Sequence, residues 1–210
     1  MNHKFGLILK RGFDLLISSI ALTLLSPLMT LIALGIHRTM GSPVFFRQPR
    51  LGYREHPFVL CKFRTMTDDR DDQGNLLPDE QRLTRLGKFL RSTTLDELPE
   101  LINVLRGDMS LVGPRPLLVE YQDLYTPEQW RRHEMPPGMA GPVLARGRNV
   151  LSWEEKFNLD VWYVDNWSLW LDFKILALTA FKVLKREGVS ADGHATMSRF
   201  EGTQANADHK

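Results

Sequence analysis

The chain has 210 residues, 43% hydrophobic and 25% charged, which is enough for one compact domain and an additional segment. Its formal net charge of +2 is too small to indicate a nucleic-acid-binding protein, but it suits a protein that lies against an anionic membrane or binds phosphates. Cys61 is the only cysteine, so an internal disulfide is excluded and a reducing, cytoplasmic setting is favoured. The histidines show no zinc-ligand spacing.

The first predicted element is an apolar segment, residues 15–36, which carries no charged side chain and is long enough to be a transmembrane candidate. The alternatives are a signal peptide, a simple spanning helix and a buried helix of a soluble protein. The segment is too long for a signal peptide, and no A-x-A-like cleavage site follows it. Pro27, after Ser26, removes a helical hydrogen bond and predicts a kink, with Ser26 or a neighbouring group satisfying the freed carbonyl.

Basic residues flank the apolar segment on both sides. They are Lys4, Lys10 and Arg11 before it, and Arg38, Arg47, Arg50 and Arg54 after it. Because positive charge marks the cytoplasmic side, a helix-break-helix that enters and leaves through the same face accounts for both flanks. Each arm of about 11 residues would reach roughly 16 Å, about one leaflet. The sequence therefore predicts a re-entrant membrane anchor over residues 1–40, with its break at Ser26 and Pro27.

The rest of the chain predicts an α/β fold with mostly helices. Residues 44–46 and 58–63 are predicted to form a short β-hairpin. Helices are predicted over residues 82–90, 97–106, 153–163 and 169–185, and prolines between positions 114 and 142 break the chain into loops. Residues 41–190 would form a compact cytosolic domain, and residues 191–210 a loosely held tail.

The last predicted helix, residues 169–185, combines apolar residues with Lys174, Lys182 and Lys185. Four tryptophans fall just before this helix or at its start: Trp153, Trp162, Trp167 and Trp170. Aromatic and basic residues together suit the water–lipid interface, which predicts an interfacial amphipathic helix. A helix packed on the protein core, with its lysines in water, is the alternative.

Two adjacent carboxylates, Asp96 and Glu97, lie at the start of the predicted helix 97–106. Asp96 would be a helix N-cap worth about 1 kcal/mol if its role were only structural, and Pro99 at position N3 permits that reading. The positive end of a helix also keeps a carboxylate ionised and suits a bound phosphate. The pair is therefore a candidate for chemistry on a phosphate.

Basic residues cluster in the sequence around this pair. They are Lys62, Arg64, Arg91, Arg115, Arg146 and Arg148. Any one of them alone is more typical of a solvated surface charge. Several in turn-bounded loops suit a polyphosphate site, because each arginine fork binds two oxygens.

A second acidic stretch begins at Asp69 and nearly fits an EF-hand loop that ends at Glu80. Gln73 breaks the ligand pattern and Pro78 is awkward in such a loop. The sequence therefore favours a polar surface loop over a calcium site.

Several motifs in order resemble the small monotopic phosphoglycosyl transferases, the bacterial sugar transferases of the PglC type. The motifs are Ser26-Pro27, Lys62-Phe63-Arg64-Thr65-Met66, Leu95-Asp96-Glu97-Leu98-Pro99, Gly107-Asp108-Met109-Ser110, Val112-Gly113-Pro114-Arg115-Pro116, Gly147-Arg148-Asn149 and Gly188-Val189-Ser190. The resemblance covers nearly the whole chain. The stretch before Gly147 departs from the family pattern at Ala140, Pro142 and Leu144, which bears on specificity.

The resemblance implies a nucleophilic role for Asp96, which would attack the sugar-linked phosphate of a UDP-sugar and release UMP. Polyprenyl (undecaprenyl) phosphate would then accept the phosphosugar, and Glu97 would help to hold Mg²⁺. Roles in substrate or phosphate binding are implied for Lys62, Arg64, Arg91, Arg115, Arg148 and Asn149.

The resemblance also implies a monotopic protein on the cytoplasmic face of the bacterial inner membrane, in contact with membrane lipids and with downstream glycosyltransferases as partners. The sugar expected from the resemblance is an N-acetylated amino sugar, with diacetylbacillosamine as one candidate. Two alternatives remain open. One is a non-catalytic protein that binds lipid phosphate or is a scaffold for glycan assembly. The other is a Leloir glycosyltransferase, which would release UDP.

Overall fold

The computed structural model describes residues 3–146, 151–185 and 199–203. Within them the fold is mostly helical with short strands, as predicted. The elements are α1 His3–Met40, β1 Phe45–Leu51, β2 Pro57–Phe63, α2 Asp79–Arg82, α3 Arg85–Ser92, α4 Glu100–Arg106, β3 Ser110–Val112, α5 Pro127–Trp130, β4 Gly138–Ala140, α6 Pro142–Arg146, α7 Trp153–Asn166 and α8 Leu169–Lys185. Short 3₁₀ turns lie between several of them.

The predicted hairpin is present, with β1 and β2 antiparallel from the Phe45–Phe63 pair to the Leu51–Pro57 pair. β1 extends further than predicted, through Pro49, which an edge strand tolerates. The acidic stretch is an exposed loop, as predicted. The Asp71 carboxylate holds its turn by accepting from the backbone N–H groups of Gln73 and Asn75.

A second, parallel strand pair was not predicted. β3 and β4 pair Ser110 with Gly138 and Val112 with Ala140, and strands of three residues are too short to show an alternating pattern. The backbones approach closely here, since a Cβ on Gly138 would lie 2.0 Å from the Gly113 nitrogen. Only glycine fits at position 138. This close approach of the two backbones fixes where the chain leaves β3 toward Arg115.

α1 is one continuous helix with Pro27 inside it, rather than two separate arms. Pro27 has no N–H for the Thr23 carbonyl, and the Ser26 hydroxyl donates to that oxygen at 2.9 Å. The prediction that Ser26 satisfies the freed carbonyl is confirmed. The Ser26 carbonyl in turn accepts from the Thr30 hydroxyl at 2.9 Å.

The apolar part of α1 is largely exposed. Phe5–Met40 is long and apolar enough to cross a membrane, and only 11% of its most apolar 18-residue window is buried against the rest of the protein. Leu16, Leu24 and Leu31 are 59%, 73% and 66% exposed. This exposure contradicts the alternative of a buried helix in a soluble protein and suits a helix in lipid.

Both ends of α1 nevertheless contact the compact domain. Near the beginning, Lys10 forms a buried 2.6 Å ion pair with Asp172 of α8, and Arg11 donates to the Val104 and Leu105 carbonyls at 2.5 and 2.8 Å. Near the other end, Ile36 is fully buried in a cluster with Ile32, Phe63 and Leu90. The two flanks of the apolar segment thus meet one domain.

The main core lies between β2, α4, the β3–β4 pair and α7–α8. Its buried members are Leu60, Leu101, Val104, Met109, Leu111, Val112, Met135, Ala140, Tyr163 and Ile175. α8 spans its predicted residues, and α7 begins at Trp153 as predicted but continues to Asn166. α8 leaves Trp170, Phe173, Leu178 and Phe181 exposed. This exposed apolar surface supports the interfacial interpretation of α8.

The described residues of the tail, 199–203, are not loosely held, contrary to the prediction. Phe200 is 1% exposed and packs with Tyr121 and Phe157. A single aromatic residue in a polar segment gave no periodic signal for this packing. The motif Gly188-Val189-Ser190 lies outside the described residues.

Candidate active site

The acidic pair lies in a 3₁₀ turn, Leu95–Glu97, immediately before α4. α4 begins at Glu100 rather than at Glu97, and Pro99 at its N-cap makes no side-chain hydrogen bond. The interpretation of Asp96 as a helix cap is therefore wrong. Thr94, which precedes the turn, has a left-handed backbone with φ of 60°, a conformation that is rare for a threonine and is often found at functional sites.

Glu97 is buried between two basic side chains. One of its carboxylate oxygens, Oε1, accepts from Lys62 Nζ at 2.6 Å and from Arg115 Nη2 at 2.7 Å. Lys62 also lies 3.2 Å from Oε1 of Glu100, which is 2% exposed. Residues that are far apart in the sequence thus meet at one carboxylate.

Asp96 is half-buried beside this network. Burial raises the pKa of its carboxyl, Glu97 raises it further, and Lys62, Arg91 and Arg115 act in the opposite direction. The net effect raises the pKa of Asp96 above its usual value, which is opposite to the expectation that a helix terminus would keep this carboxylate ionised; the three cations limit the rise.

Glu100 was not singled out by the sequence. Burial, followed by the charge of Glu97, raises its pKa to about 7. Burial alone would lower the pKa of Arg115, but Glu97 and Glu100 more than offset that effect and raise it. The carboxylates of Glu97 and Glu100 therefore interact strongly with Lys62 and Arg115. Residues four apart lie on the same face of a helical segment, so the spacing between Asp96 and Glu100 could have indicated Glu100 from the sequence.

Arg64 and Arg91 are placed differently. Arg91 Nε donates to the Thr65 hydroxyl at 3.0 Å, at the wall of the cleft. The Arg64 guanidinium donates to the Met66 carbonyl at 3.0 Å and the Met40 carbonyl at 3.3 Å, and pairs with Asp68 at 2.6 Å. These contacts tie β2 to the end of α1, so Arg64 has a structural role that the sequence did not indicate.

Arg115 is held from behind by a buried ion pair. Arg132 Nη2 donates to the Arg115 carbonyl at 2.6 Å and also binds Asp160 Oδ2 of α7 at 2.6 Å. The side chains of Arg132 and Asp160 are 2% and 4% exposed. Nothing in the sequence pointed to this pair, because its partners are 28 residues apart and lie in different elements.

An open cleft of about 2120 Å³ joins these residues. Among the predicted site residues, those that line it are Lys62, Arg64, Arg91, Asp96, Glu97 and Arg115. Arg148 and Asn149 lie outside the described residues, as does the side chain of Arg146. The break residues Ser26 and Pro27 are in α1, away from the cleft.

The family model for bacterial sugar transferases matches residues 5–186. The chain belongs to this family. The prediction of a phosphoglycosyl-transferase-type enzyme and the resemblance on which it rested are therefore confirmed at the level of the family.

The relatives of this sugar transferase include an uncharacterized protein and proteins whose names state an activity. It is 55% identical to the uncharacterized sugar transferase EpsL of Bacillus subtilis (strain 168), over 94% of this chain and 98% of that protein. It is 40% identical to the UDP-glucose:undecaprenyl-phosphate glucose-1-phosphate transferase of Klebsiella pneumoniae, over 84% of this chain and 40% of that protein. It is 36% identical to the undecaprenyl-phosphate galactose phosphotransferase of Salmonella typhimurium, over 86% of this chain and 41% of that protein.

The sugar transferase thus spans nearly all of the Bacillus relative but less than half of the Klebsiella and Salmonella proteins. The three departures from the family pattern lie at or just after β4. Ala140 ends β4 and is 5% exposed, Pro142 begins α6, and Leu144 lies within α6.

The acidic residues of the site fit one kind of metal ion. Among the described residues, no group of three or more His, Cys, Asp or Glu side chains is arranged to hold a metal. Mg²⁺ does not need such a group, since it is often bound by one or two carboxylates together with substrate phosphates. Asp96 and Glu97, which are adjacent and both line the cleft, are carboxylates that suit an ion held in this way.

Proposed function

We propose that this sugar transferase transfers a phosphosugar from a UDP-sugar to polyprenyl (undecaprenyl) phosphate through a covalent intermediate on Asp96. The Asp96 carboxylate attacks the sugar-linked phosphorus, the bond to the UMP oxygen breaks, and UMP leaves. A phosphate oxygen of the lipid then attacks the same phosphorus and displaces Asp96, which gives polyprenyl diphosphate-sugar. Covalent catalysis of this kind divides one difficult transfer into two easier ones.

The arrangement of Asp96 is the observation that carries the proposal. Its carboxylate lies half-buried in the cleft, next to a glutamate whose own charge is already paired with Lys62 and Arg115. Glu97 is thus held in place by Lys62 and Arg115, while burial and Glu97 raise the pKa of Asp96 and Lys62, Arg91 and Arg115 act against that rise. Phosphoryl transfer depends mainly on such placement and charge stabilisation.

Lys62, Arg91 and Arg115 would bind the diphosphate, and Glu97 would be the protein ligand of Mg²⁺. When bound, the ion neutralises charge on the diphosphate. Arg148 and Asn149 complete the proposed substrate-binding set on the strength of their motif. The names of the relatives, which include undecaprenyl-phosphate sugar phosphotransferases, support the acceptor.

The anchor is proposed to be re-entrant, with both ends on the cytoplasmic face. Support comes from the contacts of Lys10 and Arg11 at one flank and Ile36 at the other with a single domain. A single compact domain lies on one side of a membrane. If the helix spanned the membrane, one of its flanks would be on the opposite side and could not contact that domain. The exposed apolar surface of α8 would lie in the same interface.

The donor sugar is proposed to be an N-acetylated amino sugar, with diacetylbacillosamine as one candidate. Glucose and galactose, which appear in the names of two relatives, are the second candidates. A panel of these UDP-sugars, assayed for UMP release with undecaprenyl phosphate present, distinguishes them.

The products test the reaction itself. Purified protein in detergent with a UDP-sugar and undecaprenyl phosphate is expected to release UMP, and Asp96→Asn is expected to abolish the release. Asp123→Asn, which changes an exposed carboxylate outside the cleft lining, is the matched control and should retain activity. Release of UDP would support a Leloir transferase, and full activity of Asp96→Asn would remove the proposed nucleophile. Lipid binding without turnover of any donor would support the non-catalytic alternative.

A further inference from the structure

The C-terminal residues 199–203 support one wall of the cleft. Phe200 is 1% exposed, although it lies outside the residues that the family model matches. Its ring packs among four aromatic side chains. The centroid distances are 5.7 Å to Tyr121, 6.0 Å to Tyr125, 5.4 Å to Trp153 and 5.0 Å to Phe157.

Polar contacts hold this segment in place. The Phe200 N–H donates to the Tyr121 hydroxyl at 3.3 Å, and Gln129 Nε2 donates to the Thr203 hydroxyl at 2.7 Å. Directed hydrogen bonds on both sides of a buried ring indicate a defined docking site. The aromatic residues that Phe200 contacts are therefore fixed in one arrangement.

Three of those aromatic residues, Tyr121, Trp153 and Phe157, line the cleft together with Arg132 and Asp160. We refer to these five residues as the aromatic end of the cleft. It adjoins the acidic pair, because Arg132 binds the Arg115 carbonyl at 2.6 Å and Arg115 binds Glu97 at 2.7 Å.

Two buried polar atoms at the aromatic end have no hydrogen-bond partner among the described residues: Trp153 Nε1, a donor, and Asp160 Oδ1, an acceptor. Asp160 is 3% exposed, and its other oxygen accepts from Arg132. Buried polar atoms are nearly always paired, so an unpaired donor and acceptor in one cleft call for an explanation. A bound ligand that presents both kinds of group would pair them.

We propose that Phe200 is a positioning residue that fixes the aromatic end as the subsite for a terminal group of the nucleotide-sugar donor. The inference rests on the proposed function, since it takes the UDP-sugar as the ligand. Uracil and a sugar ring share the chemistry required: each presents an N–H or O–H beside an oxygen acceptor, together with a face that stacks on aromatic rings. Binding there would leave the diphosphate beside Arg115.

The test compares Phe200→Ala and Phe200→Leu with the wild type, in assays of UMP release where the UDP-sugar and polyprenyl phosphate are varied separately. Phe200→Ala is expected to raise the donor KM roughly tenfold while leaving kcat and the acceptor KM unchanged, the pattern of a loss in donor binding. Leucine refills part of the space and should give a smaller rise. Weaker competition by UMP in Phe200→Ala would assign uracil to the subsite, and unchanged competition would assign the sugar ring.

Arg199→Ala is the matched control, because it removes an exposed ion pair with Glu120 and leaves the ring in place. An unchanged donor KM, or equal rises in both KM values, in a Phe200→Leu protein with wild-type unfolding temperature would overturn the inference. If the proposed function is wrong, the wild type releases no UMP with any donor. That result distinguishes failure of the proposed function from failure of the inference about Phe200.

Discussion

Glu97 binds two cations through a single carboxylate oxygen, and each cation comes from a different part of the chain. Lys62 is on β2, and Arg115 follows β3 between two prolines. The sequence indicated the charges and the motifs at these positions. It did not indicate that they meet at Glu97 rather than at Asp96. Asp96, the proposed nucleophile, lies beside this pairing and makes no ion pair in the described residues.

The first prediction concerns Lys62. Lys62→Met removes the cation shared by Glu97 and Glu100, and leaves both carboxylates with less compensation. Loss of one fixed electrostatic contact in a phosphoryl-transfer site is expected to lower kcat/KM on the order of 100-fold. Steady-state UMP release checks this. The control is Arg85→Met, which changes an exposed cation outside the cleft lining and should retain wild-type kinetics. Wild-type kinetics in Lys62→Met would contradict the electrostatic role proposed for Glu97 with Lys62 and Arg115.

The second prediction uses the buried carboxyl of Glu100. Burial and Glu97 raise its pKa in the folded protein from 4.5 to about 7. Between these values the folded state holds a proton that the unfolded state has lost. The free energy of unfolding should therefore fall as the pH rises from 4.5 through 7. Glu100→Gln removes this dependence.

Glu100→Gln is expected to match the wild type at pH 4 and to be more stable at pH 8, by an amount on the order of a few kcal/mol. Urea unfolding in detergent at both pH values measures the difference. A variant that is less stable than the wild type at pH 8 would show that the charged form of Glu100 contributes net stability through Lys62.

At the level of secondary structure, long periodic segments were predictable and short segments were not. The amphipathic pattern of residues 169–185 predicted α8, and two short apolar segments separated by a turn-rich stretch predicted the hairpin. β3 and β4 have three residues each, and their pairing depends on the glycine contact between Gly113 and Gly138. α1 was predicted as two arms, but helical hydrogen bonding continues through Pro27 because Ser26 replaces the missing donor.

The third prediction concerns α1. In a Cys61→Ser background, cysteines at Ile8 and Arg38, both exposed positions on the two flanks, should react with an impermeant thiol reagent only after cells are opened. The reason is that both flanks contact the same domain. Pro27→Ala restores the amide donor and favours a straight spanning helix, so it should increase labelling of one flank from outside. Labelling of a single flank in intact cells without the Pro27 change would rule out the re-entrant anchor.

At the scale of the whole molecule, the motifs predicted the family and indicated charged residues that the fold brings together at one cleft, because such motifs are local in sequence. The supports of the site are not local. Arg132 and Asp160 hold Arg115 from another element, and Phe200 reaches the cleft wall from the tail. Long-range contacts of this kind leave no periodic or spacing signal, so the structure was needed to find them.

Mass spectrometry of the intact protein and of its peptides, after incubation with a UDP-sugar and Mg²⁺ in the absence of polyprenyl phosphate, tests most directly whether Asp96 forms a covalent intermediate. An added mass of one sugar phosphate is expected on the peptide that contains Asp96, with one UMP released per adduct. The adduct should disappear when polyprenyl phosphate is added, and it should be absent in Asp96→Asn. The covalent intermediate on Asp96 would be contradicted by rapid turnover with no adduct under conditions that trap the first step. An adduct on a residue other than Asp96 would contradict it as well.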